Sequence, residues 1–81
     1  MESRVALISI IIQDNNNAQQ INSLLHEYNE YIIGRMGLPY REKEIYIISV
    51  ALDAPMEVIS SISGKIGNIP GVSTKAVYAK E

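Results

Sequence analysis

Two stretches of this chain are apolar at nearly every position: Val5 to Ile12, and the run from Glu44 to Leu52. Both are rich in isoleucine and valine, whose branched side chains pack well on a pleated sheet, so both read as strands. A strand with one face in water alternates apolar and polar residues. These two do not. The first places Val5, Leu7 and Ile11 on one face and Ala6, Ile8, Ile10 and Ile12 on the other. The second divides into Ile45, Ile47 and Ala51 against Tyr46, Ile48, Val50 and Leu52. Each strand therefore needs cover on both faces, and any fold proposed for the chain has to supply it.

The segments between and around these strands set the topology. Asn17 with Gln20 three residues later resembles a capping box, and Asn15 and Asn16 offer further caps. Ala18, Ile21, Leu24, Leu25 and Tyr28 then recur at three- and four-residue spacing, which predicts an amphipathic helix over 17–28. A strand is predicted from about Glu30 to Tyr40, although Gly34, Gly37 and Pro39 interrupt it. Arg41 to Lys43 make a charged turn. Asp53-Ala54-Pro55 supplies a cap and a first-turn proline for a second helix, marked by Met56, Ile59, Ile62, Ile66 and Ile69. Gly67 is read as its ending glycine. Val72 to Ala79 is a last strand.

The order is strand, helix, strand, strand, helix, strand. This βαββαβ series is the ferredoxin-like, α+β arrangement: an antiparallel sheet of order 4-1-3-2 with two helices on one face. The two apolar runs become its central strands. The Gly/Pro-bearing strand falls on an edge, where a missing donor is tolerated. Both helices cover the same face, so the second apolar face is left without cover. Self-association is the expected cover, and the chain is predicted to be an obligate homo-oligomer, a dimer or a tetramer.

Length and charge narrow the function classes. The 81 residues form a single domain, 1–81, of a size that buries about 60–65% of its unfolded surface. There is no cysteine, and the formal net charge is -2. The seven Lys and Arg are scattered, so direct nucleic-acid binding is not expected. The apolar start Val5–Ile12 is too short for a membrane span and carries no cleavage signal. A cytoplasmic domain is expected.

The residues promise little chemistry, and an enzyme is not expected. The single histidine, His26, with Glu27 and Glu30 nearby is a poor metal set within one chain. It reads as a helix-end residue near terminal carbonyls, although an oligomer brings symmetry-related copies into consideration. Gly64-Lys65-Ile66-Gly67 lacks the upstream glycine and the Ser or Thr of a phosphate loop. Ser60, Ser63, Gly64 and Gly67 line the helix face opposite the isoleucines, either as a solvated face or as a place for another backbone to approach. No residue pattern identifies a cofactor.

The strand GRMGLPY, Gly34 to Tyr40, holds the best site candidates. Alternation puts Ile32, Gly34, Met36, Leu38 and Tyr40 on one, core-like face, and Ile33, Arg35, Gly37 and Pro39 on the other. Arg35 either grips a ligand carboxylate or phosphate with its planar fork or pairs with a glutamate of a neighbouring subunit. Gly34, Arg35, Gly37, Tyr40 and Arg41 are the candidate ligand and interface residues.

The segments HEYNEYIIGRMGLPYREK, IISVALDAP and ISGKIGNIPGV resemble the family of regulators of the iron-only hydrogenase system. The resemblance runs from about Leu25 to Val72 and implies an ACT-like, ferredoxin-like fold. It also implies a non-enzymatic regulatory domain that binds a small ligand as a homo-oligomer, or else a structural module that binds a protein partner. More distantly, His26, the edge strand and the pattern Gly64-Lys65-x-Gly67-x-x-x-Gly71-Val72 are similar to the C-terminal domain of nickel-responsive repressors. Those domains use histidines and a cysteine around the second strand. Here Arg35, Met36, Leu38, Tyr40 and Arg41 stand in that region, so no metal site is carried over. Those repressors also begin with a DNA-binding domain, whereas this chain opens on its first strand, so a partner is expected to carry any contact with DNA. ACT domains often place a glycine at the first strand-to-helix turn; Gln13 to Asn17 has none.

Overall fold

The computed structural model describes residues 2–13 and 17–80. In chain order the elements are β1 (Arg4–Ile12), α1 (Ala18–Glu27), β2 (Ile32–Tyr40), β3 (Ile45–Ala54), α2 (Met56–Gly67) and β4 (Val72–Tyr78). Single 3-10 turns at Asn29–Tyr31 and Arg41–Lys43 flank β2. The strands form one antiparallel sheet of order β2-β3-β1-β4. This is the expected 4-1-3-2 order seen from the other edge. The architecture is α+β and ferredoxin-like, with the two apolar runs at its centre.

Strand parity and helix periodicity meet in one core. Ala6, Ile8, Ile10 and Ile12 of β1 and Ile48, Val50 and Leu52 of β3 are buried. They pack with Ile21 and Leu25 of α1 and with Ile59, Ile62 and Ile66 of α2. Each helix thus presents one apolar stripe, at three- and four-residue spacing, to one side of the sheet. Fully burying such an isoleucine contributes about 1.5–3 kcal/mol, so the interior rests on these residues. Met56 was expected on the α2 stripe. It stands at the first residue of α2 and is exposed, approached by the Arg4 guanidinium at 3.9 Å from its sulfur.

The helix ends depart from the expected caps. Asn17 makes no capping bond; its Nδ2 donates to the Pro70 carbonyl at 2.6 Å and ties the start of α1 to the loop before β4. Asn15 and Asn16, the other proposed caps, lie outside the described residues, as does the centre of the Gln13–Asn17 turn. At α2 the strand runs on through Ala54, so Asp53 pairs with Val5 instead of capping. Pro55 takes the cap position, and its carbonyl accepts from the Val58 and Ile59 amides. Gly67 does end α2, and Gly71 takes a φ of 78° just before β4.

Among the described residues no helix is long and apolar enough to cross a membrane.

Candidate functional site

The edge strand β2 differs from its expected face assignment, and the cause is a bulge. Ile32 pairs with Leu52, but Gly34 pairs with the adjacent Ala51, so Ile33 is an extra residue on β2. An inserted residue shifts the parity of all that follows. Ile32 keeps the core side, and Ile33 turns out to 65% exposure. Beyond it Gly34, Met36, Leu38 and Tyr40 pair with Ala51, Ser49, Ile47 and Ile45 on the face away from the helices. The core-like reading of that set is corrected: Met36 is 59% and Leu38 52% exposed.

Arg35, Gly37 and Pro39 take the opposite face, beside α1 and Tyr46. The Arg35 Nη2 donates to Oδ1 of Asn22 on α1. Gly37 lies under the Tyr46 ring, which a Cβ would press on at 2.8 Å from Oη.

The five candidate residues are therefore divided. Gly34 and Tyr40 lie on the open face, Arg35 and Gly37 on the helix face, and Arg41 in the turn that follows β2. The structure brings Tyr40 and Arg41 together with Ala18, Glu44 and Tyr46 around a cavity of about 320 Å³. The cavity sits where the β2–β3 hairpin meets the start of α1. Glu44 adopts a left-handed φ of 56° there and closes the hairpin.

His26 stands exposed in the last turn of α1. Among the described residues no three His, Cys, Asp or Glu side chains converge as a metal site would require. The α2 stripe also divides: a Cβ on Gly64 would meet nothing within 4 Å, whereas one on Gly67 would press on Thr74 at 3.2 Å. Nearby, Lys65 Nζ donates to the Tyr28 hydroxyl at 2.8 Å and joins the two helices. That bond raises the Lys65 pKa above its ordinary value, with the Tyr28 charge adding to it.

The open sheet face is strongly apolar. Val5, Leu7, Ile11, Met36, Leu38, Tyr40 and Val77 all lie on it at 41% exposure or more, seven of the nine exposed large apolar side chains among the described residues. Three register-matched rows cross it: Gly34-Ala51-Leu7-Val77, Met36-Ser49-Ser9-Lys75 and Leu38-Ile47-Ile11-Ser73. A contiguous apolar face of this kind marks an interaction surface. Apolar character on both faces of β1 and β3 was readable from the sequence; the part played by β2 was not, because the bulge leaves no compositional trace.

Comparison with known proteins places this geometry. The model of the TM1266-like family, described as "Iron-only hydrogenase system regulator, putative", matches residues 4–76. The solved structure of the uncharacterized protein TM1266 from Thermotoga maritima is 38% identical, with a TM-score of 0.93. The match covers 98% of this chain and 100% of that one. A formyltetrahydrofolate deformylase from Pseudomonas putida shares the fold at a TM-score of 0.66 and 10% identity, over 90% of this chain and 28% of its own. The comparison with curated proteins gives no match.

Proposed function

As the chain belongs to the TM1266-like, iron-only hydrogenase system regulator family, we propose that it is a non-enzymatic, ACT-like regulatory domain acting as a homo-oligomer. The observation that carries this reading is the open face of the sheet. Helices cover one side of β1 and β3, while Leu7, Ile11, Leu38 and Val77 stand exposed on the other. Water at that surface is unfavourable by about 25 cal/mol for each Å² of apolar area, which favours a second protein surface over solvent. Light scattering at micromolar concentration tests it. The expected mass is at least twice the 9.0 kDa of one chain. A monomer overturns the reading, and leaves a different protein as the occupant of the face. Leu7→Glu, which puts a charge at the centre of the face, is expected to disperse the oligomer without unfolding the subunit.

A second reading, a small anionic ligand, is supported by the cavity that Tyr40 and Arg41 line. The Arg41 guanidinium supplies the fork for a carboxylate or phosphate. Arg35, held by Asn22 on the helix face, takes the structural role in this reading. Thermal shift against inorganic phosphate, amino acids and nucleotides tests it, since a bound ligand raises the Tm by mass action. A rise that Arg41→Ala abolishes supports the ligand; a flat panel overturns it.

A further inference from the structure

We infer that the open face closes on a second copy of this chain through a two-fold axis that runs parallel to the strands, between β1 and β3. The inference rests on the homo-oligomer reading above and specifies its geometry. A two-fold interface presents the same patch from both subunits, so the patch has to be complementary to itself. An in-plane axis at any angle stacks the sheets face to face; the two that keep the strands aligned, as in aligned sheet packing, differ in how they pair the three rows of the face.

With the axis parallel to the strands, each row meets its own reverse. Val77 then faces the partner's Gly34, and Leu7 faces the partner's Ala51. Leu38 faces the partner's Ser73, Ile47 faces the partner's Ile11, and Ser9 faces the partner's Ser49. In the Gly34 and Leu38 rows the large residue of one half meets a small one of the other, except for the matched isoleucines. The hollow for Val77 is present: a depression of about 300 Å³ lies over Gly34, lined by Leu7, Met36, Ser49 and Ala51. Val77 itself stands 59% exposed and free to enter it. Alternating large and small residues across facing layers is how two sheets interdigitate.

With the axis perpendicular to the strands, the charges pair worse. Lys75 then faces the partner's Lys75, and the two ammonium groups repel at the edge of the interface. Side-chain size does not separate the two axes, since Leu7 on the partner's Ile11 here matches Ile47 on the partner's Ile11 there and the other pairs of the Gly34 and Leu38 rows set large against small in both; the charge at Lys75 does. The strand-parallel axis instead sets Lys75 over the partner's Met36, whose thioether packs along the aliphatic stem while the ammonium reaches the rim.

The area lies at the small end of specific contacts. Four strands at about 4.8 Å and seven residues at about 3.4 Å present roughly 19 by 24 Å. Two such faces bury about 900 Å² in flat projection, and side-chain relief takes this toward the roughly 1,200 Å² where specific interfaces begin.

The chain has no cysteine, so introduced thiols report without background. Leu38 and Ser73 occupy opposite edge strands of one subunit, about 14 Å apart, while the strand-parallel axis brings Leu38 of one copy about 10 Å from Ser73 of the other. In the double variant Leu38→Cys/Ser73→Cys, a bis-maleimide spanning about 10 Å is expected to move most of the chain to twice its mass. Each single variant is expected to stay uncrosslinked, because its two copies lie too far apart. Light scattering on the unreacted variants is measured alongside. An intact oligomer that gives no Leu38–Ser73 crosslink overturns this geometry and leaves the homo-oligomer reading standing. A monomeric wild-type chain overturns both. As a second arm, Gly34→Leu fills the hollow for Val77 and is expected to weaken dimerisation at least tenfold, while Gly64→Ala on α2, which meets nothing, leaves it unchanged.

Discussion

The ring of Tyr46 occupies the space that a side chain at residue 37 would need: a Cβ built on Gly37 falls 2.8 Å from Tyr46 Oη and 3.2 Å from its Cε1. The glycine and the tyrosine are diagonal neighbours on β2 and β3, and the ring covers backbone that a glycine leaves open. Gly37→Ala sets two effects against each other. Loss of glycine freedom in the unfolded chain stabilises by about 0.5–1 kcal/mol, and the ring has to move by a few tenths of an ångström. The net change is expected near zero. Gly37→Val adds two methyl groups and is expected to cost about 1–3 kcal/mol by overpacking. Removing the ring with Tyr46→Ala should return part of that loss. Urea midpoints of the two single variants and the double variant measure it, and additive effects would show that ring and glycine do not compete.

The same strand shows where sequence reasoning reaches and where it stops. Period-two alternation placed Ile8, Ile10, Ile48 and Val50 on one face because nothing interrupts the pleat of β1 and β3. From Gly34 to Tyr40 the same alternation also holds, but the bulge at Ile33 puts the Gly34, Met36, Leu38 and Tyr40 set on the face opposite Ile32 and the core, and isoleucine at 33 looks like any strand residue. Asn17 misled for a different reason. A capping box is a pattern within four residues, whereas the bond that Asn17 makes goes to Pro70, 53 residues away. Topology was legible because it rests on periodicities repeated over many residues. The candidate site was less so: Tyr40 and Arg41 share a cavity, but the faces of Arg35 and Gly37 depend on one inserted residue.

Arg35 links the edge strand to α1 through its bond to Asn22. Both side chains are reachable by water, so the bond is expected to contribute under about 1 kcal/mol. Arg35→Ala and Asn22→Ala should each lower stability by a few tenths of a kcal/mol, and the double variant by less than their sum. The oligomer should survive all three, because Arg35 lies on the helix side of the sheet. A light-scattering change in Arg35→Ala would place it at a subunit contact.

Lys65 is expected to add an alkaline pH dependence. Its bond to the Tyr28 hydroxyl favours the ammonium and lifts its pKa above the ordinary 10.5. A group raised in the folded state stabilises fully below its unfolded pKa, and that contribution fades as pH climbs through the folded value. The window is alkaline, above the ordinary 10.5. NMR titration of labelled lysine is expected to show the Lys65 midpoint falling toward its ordinary value in Tyr28→Phe. Stability curves of the two proteins should differ below that window and converge above it. A Lys65 midpoint that ignores the tyrosine would break the link between the helices.

Two residues hold left-handed backbone, and they predict opposite signs. Glu44 sits at φ 56° and Gly71 at φ 78°. For a residue with a Cβ the left-handed region is unfavourable by roughly 1–2 kcal/mol, because the Cβ crowds the following carbonyl. Glu44 carries that strain at the mouth of the β2–β3 hairpin, where its amide donates to the Arg41 carbonyl at 3.1 Å. Glu44→Gly relieves it at the expense of about 0.5–1 kcal/mol of added unfolded-chain freedom, so a net gain of about 0.5–1 kcal/mol is expected. Gly71 is in the reverse position. Its carbonyl accepts from the Gln13 amide at 2.8 Å, which fixes the backbone where β1 ends and β4 begins. Gly71→Ala introduces the same strain and is expected to cost about 1 kcal/mol. Chemical denaturation of the two variants gives both signs in one experiment. A loss in Glu44→Gly would mean that its side chain contributes more at the rim of the Tyr40–Arg41 cavity than its backbone costs, and a Tm rise with inorganic phosphate in that variant would then locate the contribution in the cavity.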